Sequence, residues 1–157
     1  MPFASSSPQG LTPTQIRHAY GFDQIVIVSV QGDGTGQTIA IIDAYDDPTI
    51  ATDLQNFDLA FGIPDPPSFK KVSQTGSTTN LPGTDPAGAG NANGTWEMET
   101  SLDVEWAHAL APGASILLVE ANDASNGNLM TSAVGYARSQ PGVVAISMSF
   151  GQNDFSG

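Results

Sequence analysis

The sequence predicts an α/β fold, a parallel sheet flanked by helices. Three apolar, β-branched runs carry that reading: TIAIID (Thr38 to Asp43), SILLVEA (Ser115 to Ala121) and VVAISMS (Val143 to Ser149). None alternates apolar with polar residues, which is the pattern of strands buried on both faces, as in parallel sheets. Segments of helical period lie between them, and alternation of buried strand and helix implies βαβ units. Crossovers between such strands are expected to be right-handed.

Residues 1–10 read as a loose Ser/Pro/Gly lead-in. Thr12-Pro13 then opens a short helix, with Thr12 as N-cap and Pro13 at the first helical position, running through Ile16 and Tyr20 to Gly21. IVIVSV (Ile25 to Val30) suits a strand or an edge ribbon, and QGDGTGQ is a turn-rich break before the first buried strand. Asp47-Pro48 offers an N-cap and first-turn proline to a helix built on Ile50, Leu54, Phe57 and Phe61 and ended by Gly62. A short strand is expected near Phe69 to Val72. Gln74 to Gly94 is a long Gly/Thr/Asn/Pro-rich loop, of the kind that is functional or mobile. A helix follows from about Thr95 to Leu110, closed by Pro112-Gly113. Another spans Asn126 to Ser139, with Leu129, Ala133 and Ala137 on one side, and Pro141-Gly142 breaks it. There is no internal repeat.

Composition excludes several functions. With 157 residues the chain is long enough to bury a core, as one domain or a piece of a larger one. Lys plus Arg is 4 against 16 Asp plus Glu, a formal net charge of −12. Nucleic-acid binding needs clustered cations, and adhesion to anionic membranes needs a basic surface, so neither partner fits. With 39% hydrophobic residues and only 13% charged, the chain is too apolar for an acidic disordered tail. There is no cysteine, which removes disulfides, thiolate catalysis and cysteine zinc sites. No apolar run is long enough to span a bilayer. MPFASSSPQG has neither the basic start nor the apolar stretch of a signal peptide.

Working residues of open α/β sheets gather at the carboxyl ends of strands, here Asp43 to Asp47, Glu120 to Asp123 and Ser147 to Gly151. The sharpest pattern is Glu99 and Asp103 in WEMETSLDVEWAHAL. Four residues apart, they share a helix face. Close carboxylates resist double ionisation, so one holds a proton and the pair becomes an acid–base device. Spacing alone also suits a solvated acidic face, with Glu97 and Glu105 beside it, but Trp106 and Leu110 continue the Glu99/Asp103 face and imply that it is partly buried. Asp43 reads as a metal ligand or a relay aspartate. Asp46 and Asp47 read as capping and loop acids, and DAYDDP lacks the oxygen ligands of a calcium loop. His108 lies off the Glu99/Asp103 face, which disfavours it as a triad base. The Gly32 to Gly36 stretch has no P-loop lysine and is a turn.

TIAIIDAYDDP, then ETSLD with ALAPGASILLVEA, then VVAISMSFG, together resemble the first half of the sedolisin catalytic domain, over roughly residues 11–151. Sedolisins are serine-carboxyl peptidases with a subtilisin-like fold. The resemblance implies a subtilisin-like sheet that is incomplete here, with residues 11–157 as the N-terminal part of the peptidase domain. It implies a serine-type endopeptidase acting on peptide or protein substrates in acid, and a secreted or extracytoplasmic setting. Glu99 matches the general base and Asp103 the aspartate that orients it. Ser149, Phe150 and Gly151 match the Ser-Trp-Gly segment whose backbone pairs with substrate, with Phe150 in place of Trp.

The oxyanion-hole aspartate in its Gly-Asp-Ser-Gly-like turn and the nucleophile in its Gly-Thr-Ser-like motif do not occur in this sequence. Ser101, Ser132, Ser147 and Ser149 lack that context. The resemblance places the family's calcium site in that missing C-terminal part, leaving no cofactor or metal for this chain and making the missing half a possible partner. The expectation is a truncated product, a fragment or one half of a split protein, inactive by itself. The alternative is a non-catalytic, peptide-binding remnant of the same fold. Subtilisin-type chemistry would use Asp43, but no His-Gly-Thr-His motif follows it.

Overall fold

The computed structural model describes residues 9–88 and 95–151. The lead-in at 1–8, the end of the long loop at 89–94 and the tail at 152–157 lie outside the described residues.

Four parallel strands form the frame: β3 (Thr38–Ala44), β4 (Phe69–Ser73), β5 (Ser115–Ala121) and β6 (Val143–Ser147), in the order β4-β5-β3-β6. β3 and β5, the longest and most apolar, take the centre, where both faces are covered. Their alternation sorts side chains to two layers. Ile41, Ile116 and Leu118 meet α2 (Ile50–Phe61) and α3 (Trp96–Leu110) through Ile50, Leu54 and Val104. Ala40, Ile42, Leu117 and Val119 meet Leu129, Ala133 and Ala137 on the other side.

Local chemistry explains most boundaries. α1 (Pro13–Ala19) begins in a reciprocal capping box: the Thr12 N–H donates to Gln15 Oε1 at 2.8 Å, and the Gln15 N–H donates to Thr12 Oγ1 at 3.3 Å. α2 ends at Gly62 with φ 67°, where an L side chain would be strained. Arg17 of α1 donates to the carbonyls of Ala109 and Leu110 at 3.1 and 2.6 Å. It thus supplies a cation to the C-terminus of α3, where the helix dipole favours one.

Three expectations need correction. The α2 helix starts at Ile50 rather than at Pro48. Asp47 Oδ1 accepts the Thr49 N–H at 2.9 Å and so closes a turn ahead of the helix, whose N-cap position is Thr49, and the Asp47 N–H donates to Glu120, which ties that turn to the sheet. The Asn126 to Ser139 helix is a π-helical stretch, Gly127–Ala133, continued by α4 (Val134–Ala137). Its first turn contains Gly127 and Asn128, weak helix formers, and Ser132 Oγ donates to the Gly127 carbonyl at 3.2 Å. Val143 to Ser149, read as a buried strand, is a strand only to Ser147 and has no buried residue, because it lies at the sheet edge. Ile25 to Val30 forms a two-stranded antiparallel ribbon, as the strand-or-ribbon reading allowed, β1 (Val26–Ile27) with β2 (Val30–Gln31), its turn at Val28 and Ser29 in the left-handed region.

β6 is a sheet edge that pairs with β3 alone among the described residues, and Val144 is 62% exposed. An apolar edge of this kind templates association. The isolated chain is therefore expected to sediment as concentration-dependent oligomers. Val144→Lys should shift it toward monomer, because a charge on an edge strand opposes strand addition. A wild-type chain that stays monomeric across the whole concentration range would refute this.

Candidate active site

Parallel strands place their chemistry at their carboxyl ends, and β3 ends at Asp43-Ala44. Asp43 has the parity of Ile39 and Ile41, so its side chain faces the α2/α3 layer. It is fully buried, and neither carboxylate oxygen finds a hydrogen bond among the described residues. α3 lies over it. Thr95 caps this helix by accepting the Met98 N–H at 3.3 Å, and Thr100, Val104 and His108 form its buried stripe, spaced by four. Glu99 and Asp103 each precede a stripe residue by one, about 100° round the helix. They therefore sit half-buried at the margin of the stripe.

Three carboxyl groups, Asp43, Glu99 and Asp103, thus share one region. Burial pushes Glu99 up, and the charge of Asp103 adds to it. Burial also raises Asp103, opposed by Ser149 Oγ, which donates to Asp103 Oδ1 at 2.9 Å. Asp43 is pushed up to about 8, first by burial, then by Asp103 and Glu99, with the nearby Thr100 hydroxyl opposing. The spacing read from the sequence is a pair, and the structure adds a third carboxylate beneath it. The sequence offered Asp43 separately, as a metal ligand or a relay aspartate at the end of a buried strand, and not as a member of the Glu99/Asp103 group.

The chain is 35% identical to kumamolisin from Bacillus sp. (strain MN-32) over 148 residues. That similarity covers 91% of this chain and 23% of the relative, so the chain spans about a quarter of the length of kumamolisin. No family model matches the sequence.

The Ser149 to Gly151 segment follows the exposed edge strand, with Ser149 tied to Asp103. Phe150 packs near Trp96, ring centroids 6.5 Å apart, and Tyr45 joins them against the same core. Tyr45 has φ 66°, uncommon for a bulky residue. Its N–H donates to the Ala121 carbonyl at 2.8 Å, which holds the turn close to β5. Sequence reading gave no sign of Tyr45 or Trp96 here, because nothing in the pattern distinguishes an aromatic at a strand end from core filling.

Glu97 and Glu105 are not simply solvated. Glu97 Oε1 accepts the Asp85 N–H at 3.1 Å, tying the long loop to the start of α3. Glu105 is pushed up to about 7, first by burial and then by Asp53, Asp58 and Asp47. His108 is fully buried and sits 2.9 Å from the Pro64 carbonyl and 3.3 Å from Asp58 Oδ1, in a structural cluster under α2. Among the described residues no group of three or more His, Asp or Glu is arranged to hold a metal ion.

The shifts fix how stability responds to pH. Asp43 and Glu120 are each raised to about 8, so across roughly pH 4–8 the folded chain keeps protons that the unfolded chain has released. Their contribution is fully present below the unfolded carboxyl range and is lost as pH rises toward 8. Asp33 and Asp123 are lowered, by hydrogen bonds from Thr35 and from Asn128 and Ser125, and act in the opposite sense, but neither is buried, and solvent screens their contribution. The melting temperature should therefore be higher at pH 4 than at pH 8. Asp43→Asn should raise stability at pH 8 by about 1–3 kcal/mol and flatten the profile. Thermal unfolding followed by circular dichroism across that range checks both, and a profile rising with pH would contradict them.

Proposed function

We propose that this chain is a sedolisin-like peptidase segment. In this reading it carries the carboxylate base system of a serine-carboxyl endopeptidase that cleaves peptide bonds in acid, outside the cytoplasm. The observation that supports it is Glu99 and Asp103, half-buried on one face of α3 above the buried Asp43 at the carboxyl end of β3. The 35% identity to kumamolisin supports the peptidase origin. The same acids arranged on an unrelated chain would carry much less.

In this reading Glu99 takes the proton of a serine hydroxyl as that oxygen attacks the scissile carbonyl. Asp103 orients Glu99 and shares a proton with it. Glu99 then returns the proton to the leaving amine, and water hydrolyses the acyl-enzyme by the same relay. Sharing one proton keeps the pair singly charged, which suits acid conditions. The nucleophilic serine and the oxyanion aspartate come from sequence outside these 157 residues. Substrate pairs through its backbone with Ser149 to Gly151, as a strand added to the sheet edge, and Phe150 sets the neighbouring contact.

In a polypeptide that carries the serine motif, Glu99→Gln should lower kcat by several orders of magnitude with KM nearly unchanged. Asp103→Asn should cost less and move the acid limb of the pH–rate profile, because the coupled titration is lost. The double variant should be little worse than Glu99→Gln alone. Full activity in Glu99→Gln would end this reading.

A second reading, a non-catalytic peptide-binding remnant, has one observation in its favour. Among the described residues the hydroxyl bonded to the pair is Ser149, on Asp103, and Glu99 holds none. Both readings have the chain by itself hydrolysing no peptide. They part in the longer polypeptide, where the remnant would bind peptide at Ser149 to Gly151 without turnover.

A further inference from the structure

A second group of charges lies on the sheet face that carries Asp43. In the strand register Ser73 stands opposite Glu120, and Glu120 opposite Asp43, so three polar residues form a row across β4, β5 and β3. Glu120 shares the parity of Ile116 and Leu118, which face α2 and α3, and it is fully buried. Its Oε1 accepts the Asp47 N–H at 3.0 Å and lies 3.6 Å from Lys71 Nζ. Lys71 also donates to Asp46 Oδ1 and, at 2.7 Å, to the Asp47 carbonyl. The charged groups around Glu120 are therefore Lys71 from β4, Asp43 from β3 and Asp46 and Asp47 from the β3–α2 turn, with Glu105 of α3 beyond Asp47.

This group reaches α3 by two routes. Asp47 Oδ2 lies 3.5 Å from Ser101 Oγ, between Glu99 and Asp103 in sequence. The Asp46 N–H donates to the Gly83 carbonyl at 3.0 Å, and two residues later Asp85 Oδ2 accepts the Trp96 N–H at 3.0 Å, at the start of the helix. A buried ion pair seldom adds net stability, since well-packed apolar residues of like size often do as well or better. Its use here lies in what it holds still. We propose that Glu120, with Lys71, is a positioning residue for the carboxylate cluster: it fixes the Asp46–Asp47 turn, and through that turn sets α3, and so Glu99 and Asp103, over Asp43. This rests on reading the cluster as the site, but not on peptide binding or turnover.

The test reads the cluster directly, by carbon-13 NMR titration of the side-chain carboxyls of Asp43, Glu99 and Asp103 in the chain itself. Glu120→Leu removes the acceptor for the Asp47 N–H and should move at least one of the three midpoints by about half a pH unit or more. Glu120→Gln keeps an acceptor oxygen and should restore the wild-type midpoints, which loss of charge alone would not do. Lys71→Met, at a partly exposed position, should move them in the same direction as Glu120→Leu. Cluster midpoints unchanged in Glu120→Leu, or in Lys71→Met should that variant alone fold, would overturn the proposal. A failure to bind or cleave peptide would count against the functional reading and leave this one standing.

Discussion

Desolvation of Asp43 is the constraint on which the carboxyl end of the sheet depends. An acid at the end of a central strand, covered by a helix and lacking any hydrogen-bond partner among the described residues, cannot ionise cheaply. Its neighbours feel the consequence. Glu99 and Asp103 are pushed the same way by their own burial, and each ionised member makes the next harder to ionise. A set of acids in that condition holds protons that exposed carboxylates would give up, and it can pass them on. The buried histidine lies elsewhere, against Pro64 and Asp58.

The cluster exists because two periodicities meet in register. Period two along β3 turns Asp43 toward the helical layer, while period 3.6 along α3 leaves Glu99 and Asp103 beside the stripe that packs on that layer. Thr95 starts the helix and Arg17 closes it, so the axial position of α3 is fixed at both ends. The turn after β3 fixes it in between.

The frame could be read from sequence because it rests on long apolar runs and strong punctuation. The strands at Thr38, Ser115 and Val143, the helix beginning at Thr95 and the helix-ending Gly62 all follow from local chemistry. The Glu99/Asp103 spacing was readable for the same reason. Other features depend on which strand lies beside which, and that is not local. Glu120 becomes a partner of the Asp47 amide only once β5 stands next to β3, and Asp43 meets α3 only once the helix crosses its end. The π-helical stretch at Gly127–Ala133 kept the apolar face that the sequence shows, so periodicity alone gave no warning of it. The early start expected for α2 failed because Asp47 Oδ1 closes a turn onto the Thr49 N–H and hydroxyl, which places the cap at Thr49, just before Ile50.

The β1–β2 ribbon has a physical consequence of its own. Val26, Ile27, Val28 and Val30 are 60–93% exposed, on a two-stranded element that no third strand supports among the described residues. At neutral pH a charge of −12 keeps molecules apart and such a patch is harmless. Near the isoelectric point of about 4.1 that mutual repulsion disappears, while the buried acids are then at their most comfortable. Firm folding and colloidal dispersal are thus pulled toward opposite ends of the pH scale, and the ribbon then adds a second adhesive surface to the open β6 edge.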